Sequence, residues 1–430
     1  MKLNYKRTFF IGLAFLSISA FWQMYDNLVP LILKNTFGLS DSVIGVIMAM
    51  DNVLAVFLLP IIGTMSDKVD TRWGKRTPFL VCGTIAAVCL MMLLPYADYA
   101  QKLGLFVVSL ALTLIAMAMY RSPAVALMPD LTPKPLRSSA NAVINLMGAV
   151  GGVYTLILIS VLVGEGERPS YLPVFLGVAA IMIAAVVVLL LTIREKKLAA
   201  QIAEEYPDAE EAVTTENISK ETVSEALPKA VKKSLTFLLL SIFLWFTAYN
   251  AVTTAFSRYA VIVWKMEGGG FANCLMVATV AAIISYIPIG VVSSRIGRKK
   301  TILAGLVMML ISYSSVFFYP TYHVTANFFF ALIGVGWASV GVNSLPMVVE
   351  MSRKSDIGKY TGLYYTFSMA AQIFTPIISG LLLDHVSYST LFPYAMFFTV
   401  CAIGTMSMVK HGDSKPAPKK KMLENFDVED

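Results

Sequence analysis

Three charged side chains stand inside long apolar runs: Asp26, Asp51 and Arg121. A helix rises 1.5 Å per residue, so Asp51, 16 residues before Asp67, sits about 24 Å along its run from that acid. By the same rise Asp26 lies about 27 Å from Thr8, and Arg121 about 14 Å from Asp130. All three therefore fall at membrane depth if these runs cross a bilayer. An isolated charge there costs at least ~3 kcal/mol, so such residues usually face a water-filled cavity and mark a solute or proton path. The chemistry on offer is proton binding and release, because low dielectric favours the neutral form of an unpaired carboxylic acid. A purely structural ion pair between helices is the competing explanation. Either way Arg121 is expected to face Asp26 or Asp51.

Around these charges lie groups suited to a hydroxyl-rich solute. Gln23, Asn27, Asn52, Asn145, Tyr249, Asn250, Asn343, Tyr364, Tyr365 and Gln372 supply donors and acceptors. Trp22, Trp245 and Trp337 supply aromatic faces for the apolar side of a ring. Each has a plainer explanation: an amide in a bundle often bridges two helices, for ~0.6 kcal/mol. Trp264 and Tyr319 are expected to anchor the chain at the membrane interface. Gly148 and Gly152, four apart, are expected to be packing contacts.

The elements that must hold these residues are set by composition. With 57% hydrophobic and 14% charged residues over 430 positions, the chain is too apolar for a soluble protein of this size. Spanning a bilayer takes about 20 apolar residues in a helix, which satisfies its own backbone. Such runs occur at 8–33, 42–64, 78–96, 103–128, 140–163, 172–193, 235–257, 271–293, 301–319, 323–348, 358–383 and 389–409. The fold class expected is all-α integral membrane, twelve helices in two six-helix pseudo-repeats. The first run follows Lys2, Lys6 and Arg7 as a secretory signal would, yet its apolar character persists to Leu33, so it reads as a retained helix.

Positive charge falls on alternate loops. Lys2, Lys6, Arg7, Lys68, Arg72, Lys75, Arg76, Lys134, Arg137, the basic residues from Arg194 to Lys233, Arg295, Arg298, Lys299, Lys300, Arg353, Lys354, Lys359 and those from Lys410 to Lys421 share one side. Only Lys34, Lys102, Arg168, Arg258 and Lys265 take the other. This excess marks the cytoplasmic face and places both termini there, in a cell membrane. It also accounts for the net charge of +7 without a nucleic-acid partner. Cys82, Cys89, Cys274 and Cys401 fall within the runs, with no disulfide or metal spacing, and read as small core residues. The chain divides into residues 1–193, a polar cytoplasmic linker at 194–234, a second half at 235–409 and a cytoplasmic tail at 410–430. The linker's composition suits partial disorder with a short surface helix.

A signature recurs after the second run of each half: Gly63-Thr-Met-Ser-Asp67-Lys-Val-Asp-Thr-Arg72-Trp-Gly74-Lys75-Arg76, then Gly290-Val-Val-Ser-Ser-Arg295-Ile-Gly297-Arg298-Lys299-Lys300. Parallel repeats of this kind build major facilitator transporters, which the chain resembles over nearly its whole length. Gly63, Asp67, Arg72, Gly74, Arg76, Asp130, Arg137, Arg295 and Arg298 are the expected cytoplasmic gate, with acids and arginines able to pair across the seam. Plain anchoring by basic loops is the alternative.

The extended first loop, Pro60-Ile-Ile-Gly63 through Arg72-Trp73-Gly74-Lys75-Arg76-x-Pro78, looks like the glycoside-pentoside-hexuronide:cation symporters and the sucrose-transporter-like group. Pro123 to Pro133 with Arg137 and Asn141, Gly336 to Glu350, and Tyr360 to Pro376 continue the match. That resemblance implies a secondary transporter carrying a sugar or glycoside with a coupling cation. Melibiose-type sodium symporters place carboxylates where this chain has Ala55 and Leu59, and sodium needs several hard oxygen ligands. Proton coupling, through Asp26, Asp51 and Arg121, is therefore expected. The arginine that sucrose transporters carry after the fourth-run proline is replaced by Val125, while Arg121 precedes it.

An enzyme reading finds no phosphate loop and no nucleophile elbow. His323, His385 and His411 are scattered, which suggests neither metal nor cofactor. The rival function is a proton-coupled exporter of drugs or other small amphiphilic solutes, against which the polar first, seventh, tenth and eleventh runs argue. A membrane sugar sensor would need more signalling sequence than the linker and tail supply. The expected partners are a small solute, a coupling cation and the bilayer, with the chain a monomer.

Overall fold

A computed structural model describes residues 3–133, 136–166, 169–205, 228–351 and 357–413. Lys2, Lys134, Arg168, Arg353, Lys354, the linker core at 206–227 and the tail from 414 lie outside the described residues. The helices are α1 (Tyr5–Asn35), α2 (Asp41–Lys68), α3 (Thr77–Met91), α4 (Leu93–Tyr99), α5 (Leu103–Asp130), α6 (Arg137–Leu162), α7 (Leu172–Thr192), α8 (Glu195–Glu205), α9 (Lys229–Ile262), α10 (Phe271–Ile296), α11 (Arg298–Phe317), α12 (Ala326–Glu350), α13 (Ile357–His385) and α14 (Leu391–Ser407), with a 3-10 turn at Tyr388–Thr390. α3 and α4 act as one span, and among the described residues twelve helices are long and apolar enough to cross a membrane.

The expected runs coincide with these spans, and the differences at the ends carry information. α9 continues to Ile262 rather than stopping at 257. The physical reason is a face of Ala251, Val252, Ala255, Phe256 and Tyr259 that stays buried, while Asn250, Thr254 and Arg258 form a polar ridge at four-residue spacing. Arg258, expected in an outer loop, is thereby drawn inside the bundle at 3% exposure. α2 begins at Asp41, one turn of whose backbone is capped by the Ser40 hydroxyl accepting from the Val43 amide. Within the segment 194–234, Glu195–Glu205 forms the short helix α8, and α9 starts at Lys229.

The bundle has a basic end, with Arg7, Arg76, Arg137, Arg298 and Lys299, and an opposite end with Asp41, Lys102 and Val324. One buried apolar cluster fills the first half and runs into Phe256, Tyr259, Trp264, Phe271 and Phe392 at the opposite end of the second. A separate cluster, including Leu238, Trp245, Ile302, Tyr364 and Met406, stays within the second half toward the basic end. Close approach between halves repeats this asymmetry. A Cβ on Gly45 would strike the carbonyl of Pro376, and one on Gly380 that of Asp41. Ser160 donates to Asn273 at 2.9 Å and Ser42 to Asp384 at 2.7 Å. The described halves thus meet through the opposite end.

Two expectations are corrected. Cys82 and Cys89 are exposed on their helices rather than in the core, whereas Cys274 is buried. Trp264 is buried and donates to the Tyr319 carbonyl at 3.0 Å, so it serves the core instead of the interface. Gly148 packs against Ser19 of α1, as expected of a helix contact, and a Cβ on its neighbour Gly151 would strike the Leu16 backbone.

Candidate solute and coupling site between the two halves

Helical spacing brings the first-half charges together. On α1, Trp22 and Asp26 are one turn apart, as are Gln23 and Asn27; α2 contributes Asp51 and Asn52, and α5 contributes Arg121. The Arg121 guanidinium lies over the Trp22 ring, 5.7 Å from its centroid, a cation–π geometry. Asp51 and Arg121 are within electrostatic reach, as are Asp26 and Asp51. Among the described residues no carboxylate closes to 4 Å on Arg121, so its arrangement with Asp51 is looser than a short ion pair. Asp51 accepts a 2.9 Å hydrogen bond from Asn52. A narrow hollow is lined by Asp51, Arg121, Trp22, Ala55 and Leu59.

The second half presents aromatic surface. Tyr249 of α9 stacks on Trp337 of α12, centroids 3.8 Å apart and planes at 5°, and Phe246 meets Trp337 edge-on. Tyr365 of α13 reaches the Arg121 field from across the seam. Gln23, Asn52, Tyr249, Asn250, Trp337, Tyr365 and Gln372 are all half-buried. The Asn250 amide nitrogen and the Trp22 indole nitrogen have no partner among the described residues.

Other candidates are occupied elsewhere. Asn343 accepts from Ser293 and donates to the Ser339 carbonyl at 2.9 Å, bridging α12 to α10. Trp245 is fully buried in the second-half cluster and offers no platform. Tyr364 is buried against Ser344, 3.2 Å away. Asn27 donates to the Gln23 carbonyl at 2.8 Å within α1, leaving its own carbonyl oxygen unpaired and buried.

Among the described residues the ion pairs at the basic end stay within each half. Arg76 is buried and reaches Ser66, Asp67 and Asp130, the last at 2.8 Å. Burial pushes its guanidinium down, but bonds to Asp130 and Asp67 outweigh this and hold it above its ordinary value. Arg298 pairs with Glu350, and Arg137 caps the Pro129 and Thr132 carbonyls. Arg72 and Arg295 are exposed. Gly63 lies against Ser122.

Sequence reasoning missed two devices. Glu195, the first residue of α8, accepts from the amides of Lys75, Arg76 and Thr77 at 2.7–2.9 Å and from the Thr77 hydroxyl. Gly74 at φ +123° makes that turn, and a Cβ there would strike the Glu195 carboxylate. The second half repeats the design: Gly297 at φ +95° precedes Lys299, whose amide donates to Asp413 at 2.7 Å. The signal was an acid just beyond the sixth span of each half. The second device is at the opposite end, where Asp41 binds Arg258 and Lys34, both at 2.7 Å, and accepts from Tyr388.

Against known proteins, residues 11–339 and 269–426 match the Major Facilitator Superfamily model. Sucrose transport protein SUC3 of Arabidopsis thaliana is 26% identical over 137 residues, 27% of this chain and 23% of that protein; the chain thus spans about a quarter of its length. The inward-open xylose transporter XylE from E. coli aligns with TM-score 0.67 at 15% identity over 98% of both chains. The nucleoside transporter NupG gives 0.65 at 17%, covering 95% of this chain and all of that one. The family model covers most of the chain and the described residues hold twelve membrane-capable helices, so the chain belongs to the Major Facilitator Superfamily.

Proposed function

We propose that this chain is a proton-coupled symporter of a sugar or glycoside, working by alternating access, with its basic end and both termini in the cytoplasm. The observation that carries the reading is the hollow lined by Asp51, Arg121, Ala55 and Leu59. A sodium ion there would need several hard oxygens, yet two of those wall positions are aliphatic and the cation present is a tethered guanidinium. Asp51 remains as the acid able to take and release a proton. The stacked Tyr249–Trp337 pair with Gln23, Asn250 and Gln372 supplies the apolar face and the polar groups that a sugar ring uses. The partial likeness to a sucrose transport protein supports the same solute class. Excess Lys and Arg at one end supports the orientation.

The test is uptake into vesicles containing the purified chain, using labelled glucosides and disaccharides under imposed proton or sodium gradients. Concentrative uptake driven by the proton gradient alone is expected. Uptake driven by sodium alone sinks the coupling assignment, and proton-driven extrusion of amphiphiles without sugar uptake sinks the solute class. Orientation is tested separately: a cysteine replacing the exposed Lys75 should react with an impermeant maleimide only from the cytoplasmic side, and one replacing Lys102 only from outside.

A further inference from the structure

At the basic end of the first half, four cationic side chains from distant stretches of sequence line one hollow. Lys6 and Arg7 come from the start of α1, and Arg194 and Lys197 from the junction of α7 with α8; the cavity among them measures about 370 Å³. Two described carboxylates near them are engaged elsewhere. Glu195 is 5% exposed and held by the amides of the Gly74 turn, while Asp70 pairs with Lys196 at 2.9 Å. Among the described residues none of the four cations makes an ion pair, and neither does Glu204 further along α8.

Topology alone accounts for positive charge on this side. It does not account for convergence on a concave site with an apolar wall, and Phe10, Ile193 and Leu198 supply one. Beside it, Tyr5, Phe9 and Leu191 are large apolar side chains left exposed, Leu191 at 79%, where α1 and α7 enter the hydrocarbon. α8 is seated on the bundle by Leu198, Ala199 and Ile202. Cations above, an apolar wall within and exposed apolar surface below match a molecule with an anionic phosphate and acyl chains.

We propose that this hollow binds the phosphate headgroup of an anionic phospholipid of the adjoining leaflet. Bound there, the lipid ties α1 to α8, and through Glu195 it steadies the Gly74–Thr77 turn.

The full-length chain, purified in detergent, is compared by thermal unfolding and native mass spectrometry with phosphatidylglycerol or phosphatidylcholine added. Phosphatidylglycerol should raise the melting temperature by a few degrees and remain bound, and phosphatidylcholine should do neither. Removing cations by Lys6→Gln, Arg7→Gln, Arg194→Gln and Lys197→Gln should weaken retention by about fivefold per charge. Lys197→Gln alone, exposed and without a structural contact, carries the test if the fourfold variant fails to fold. Lys232→Gln with Lys233→Gln, basic residues at the same end outside the hollow, should change nothing. Equal phosphatidylglycerol retention in parent and Lys197→Gln overturns the site, as does an equal loss in the Lys232/Lys233 control. Protection by inorganic phosphate matching that of phosphatidylglycerol overturns the lipid in favour of a soluble phosphate.

Discussion

Asp41 and Arg258, 217 residues apart in sequence, meet at 2.7 Å between Oδ1 and Nη1, and both side chains are almost wholly buried. The same carboxylate takes Lys34 from α1 and the Tyr388 hydroxyl from the 3-10 turn, so one acid gathers both halves at the opposite end. Buried pairs contribute little when complete, but stripping out one partner costs ~3–5 kcal/mol because the remaining charge is left uncompensated. On an alternating-access cycle this cluster must come apart and rehydrate whenever that end opens.

Asp41→Asn should therefore favour opening of the opposite end. A bias of about 3 kcal/mol shifts a two-state balance more than 100-fold. Spin labels on cysteines replacing Lys102 and Val324, exposed in loops of different halves, read this directly. The variant should show a longer distance distribution than the parent, and identical distributions would remove the cluster's role as a lock.

Two acids at the basic end should behave differently. Asp67 is 58% exposed on its side chain, and Arg76 keeps Asp130 and Ser66 without it; Asp67→Asn should cost under ~1 kcal/mol of stability. Its effect should fall on turnover, with solute affinity held within a few-fold, since a gate charge biases populations and touches no ligand. Glu195→Ala instead leaves three amides and a buried hydroxyl without an acceptor, and should cost about 2–4 kcal/mol. Thermal unfolding of the two variants side by side checks the contrast, and equal melting temperatures would contradict it.

What sequence made legible follows the strength of each physical signal. Twelve spans were readable because hydrocarbon demands uninterrupted apolar helices, and the repeat because its glycines and basic residues recur at the same place. Asp26, Asp51 and Arg121 stood out as charges at membrane depth. Arg258 did not, since it follows an apolar run and resembles a loop residue unless the Asn250–Thr254–Arg258 ridge is followed one turn further. Asn343 and Trp245 looked like ligand groups because residue type does not reveal which face of a helix meets a neighbour. Glu195 was lost in a charged linker, its partners being backbone amides with no signature of their own.

The Tyr249–Trp337 stack supplies a rigid aromatic surface, and Trp337→Ala should raise the apparent KM for the transported sugar by about tenfold, the scale of one aromatic contact. Trp245→Ala, in the buried cluster, should instead lower stability by ~3–5 kcal/mol. Transport kinetics and unfolding measured on both variants separate the two roles. An unchanged KM in a folded Trp337→Ala protein would remove that residue from the site.

The charges at membrane depth carry the sharpest prediction. Arg121 lies over Trp22 and in the field of Asp51, with Tyr365 approaching from the second half, so it is held by a ring and by diffuse charge rather than locked in a short pair. Such an arginine can shift toward Asp51 when that acid ionises and away when it is protonated, which links proton occupancy to the seam. Asp51→Asn fixes the neutral state: gradient-driven accumulation should be abolished while downhill exchange of solute survives. Arg121→Ala should lose both, because Asp26 and Asp51 are then two acids in one low-dielectric space without a counter-charge. Asp26→Asn should mainly weaken solute affinity, since Asp26 is half-buried and makes no hydrogen bond or ion pair among the described residues, which leaves its carboxylate to a ligand. Accumulation and exchange measured separately for the three variants decide the matter: if Asp51→Asn still concentrates solute as the parent does, the coupling role passes to Asp26.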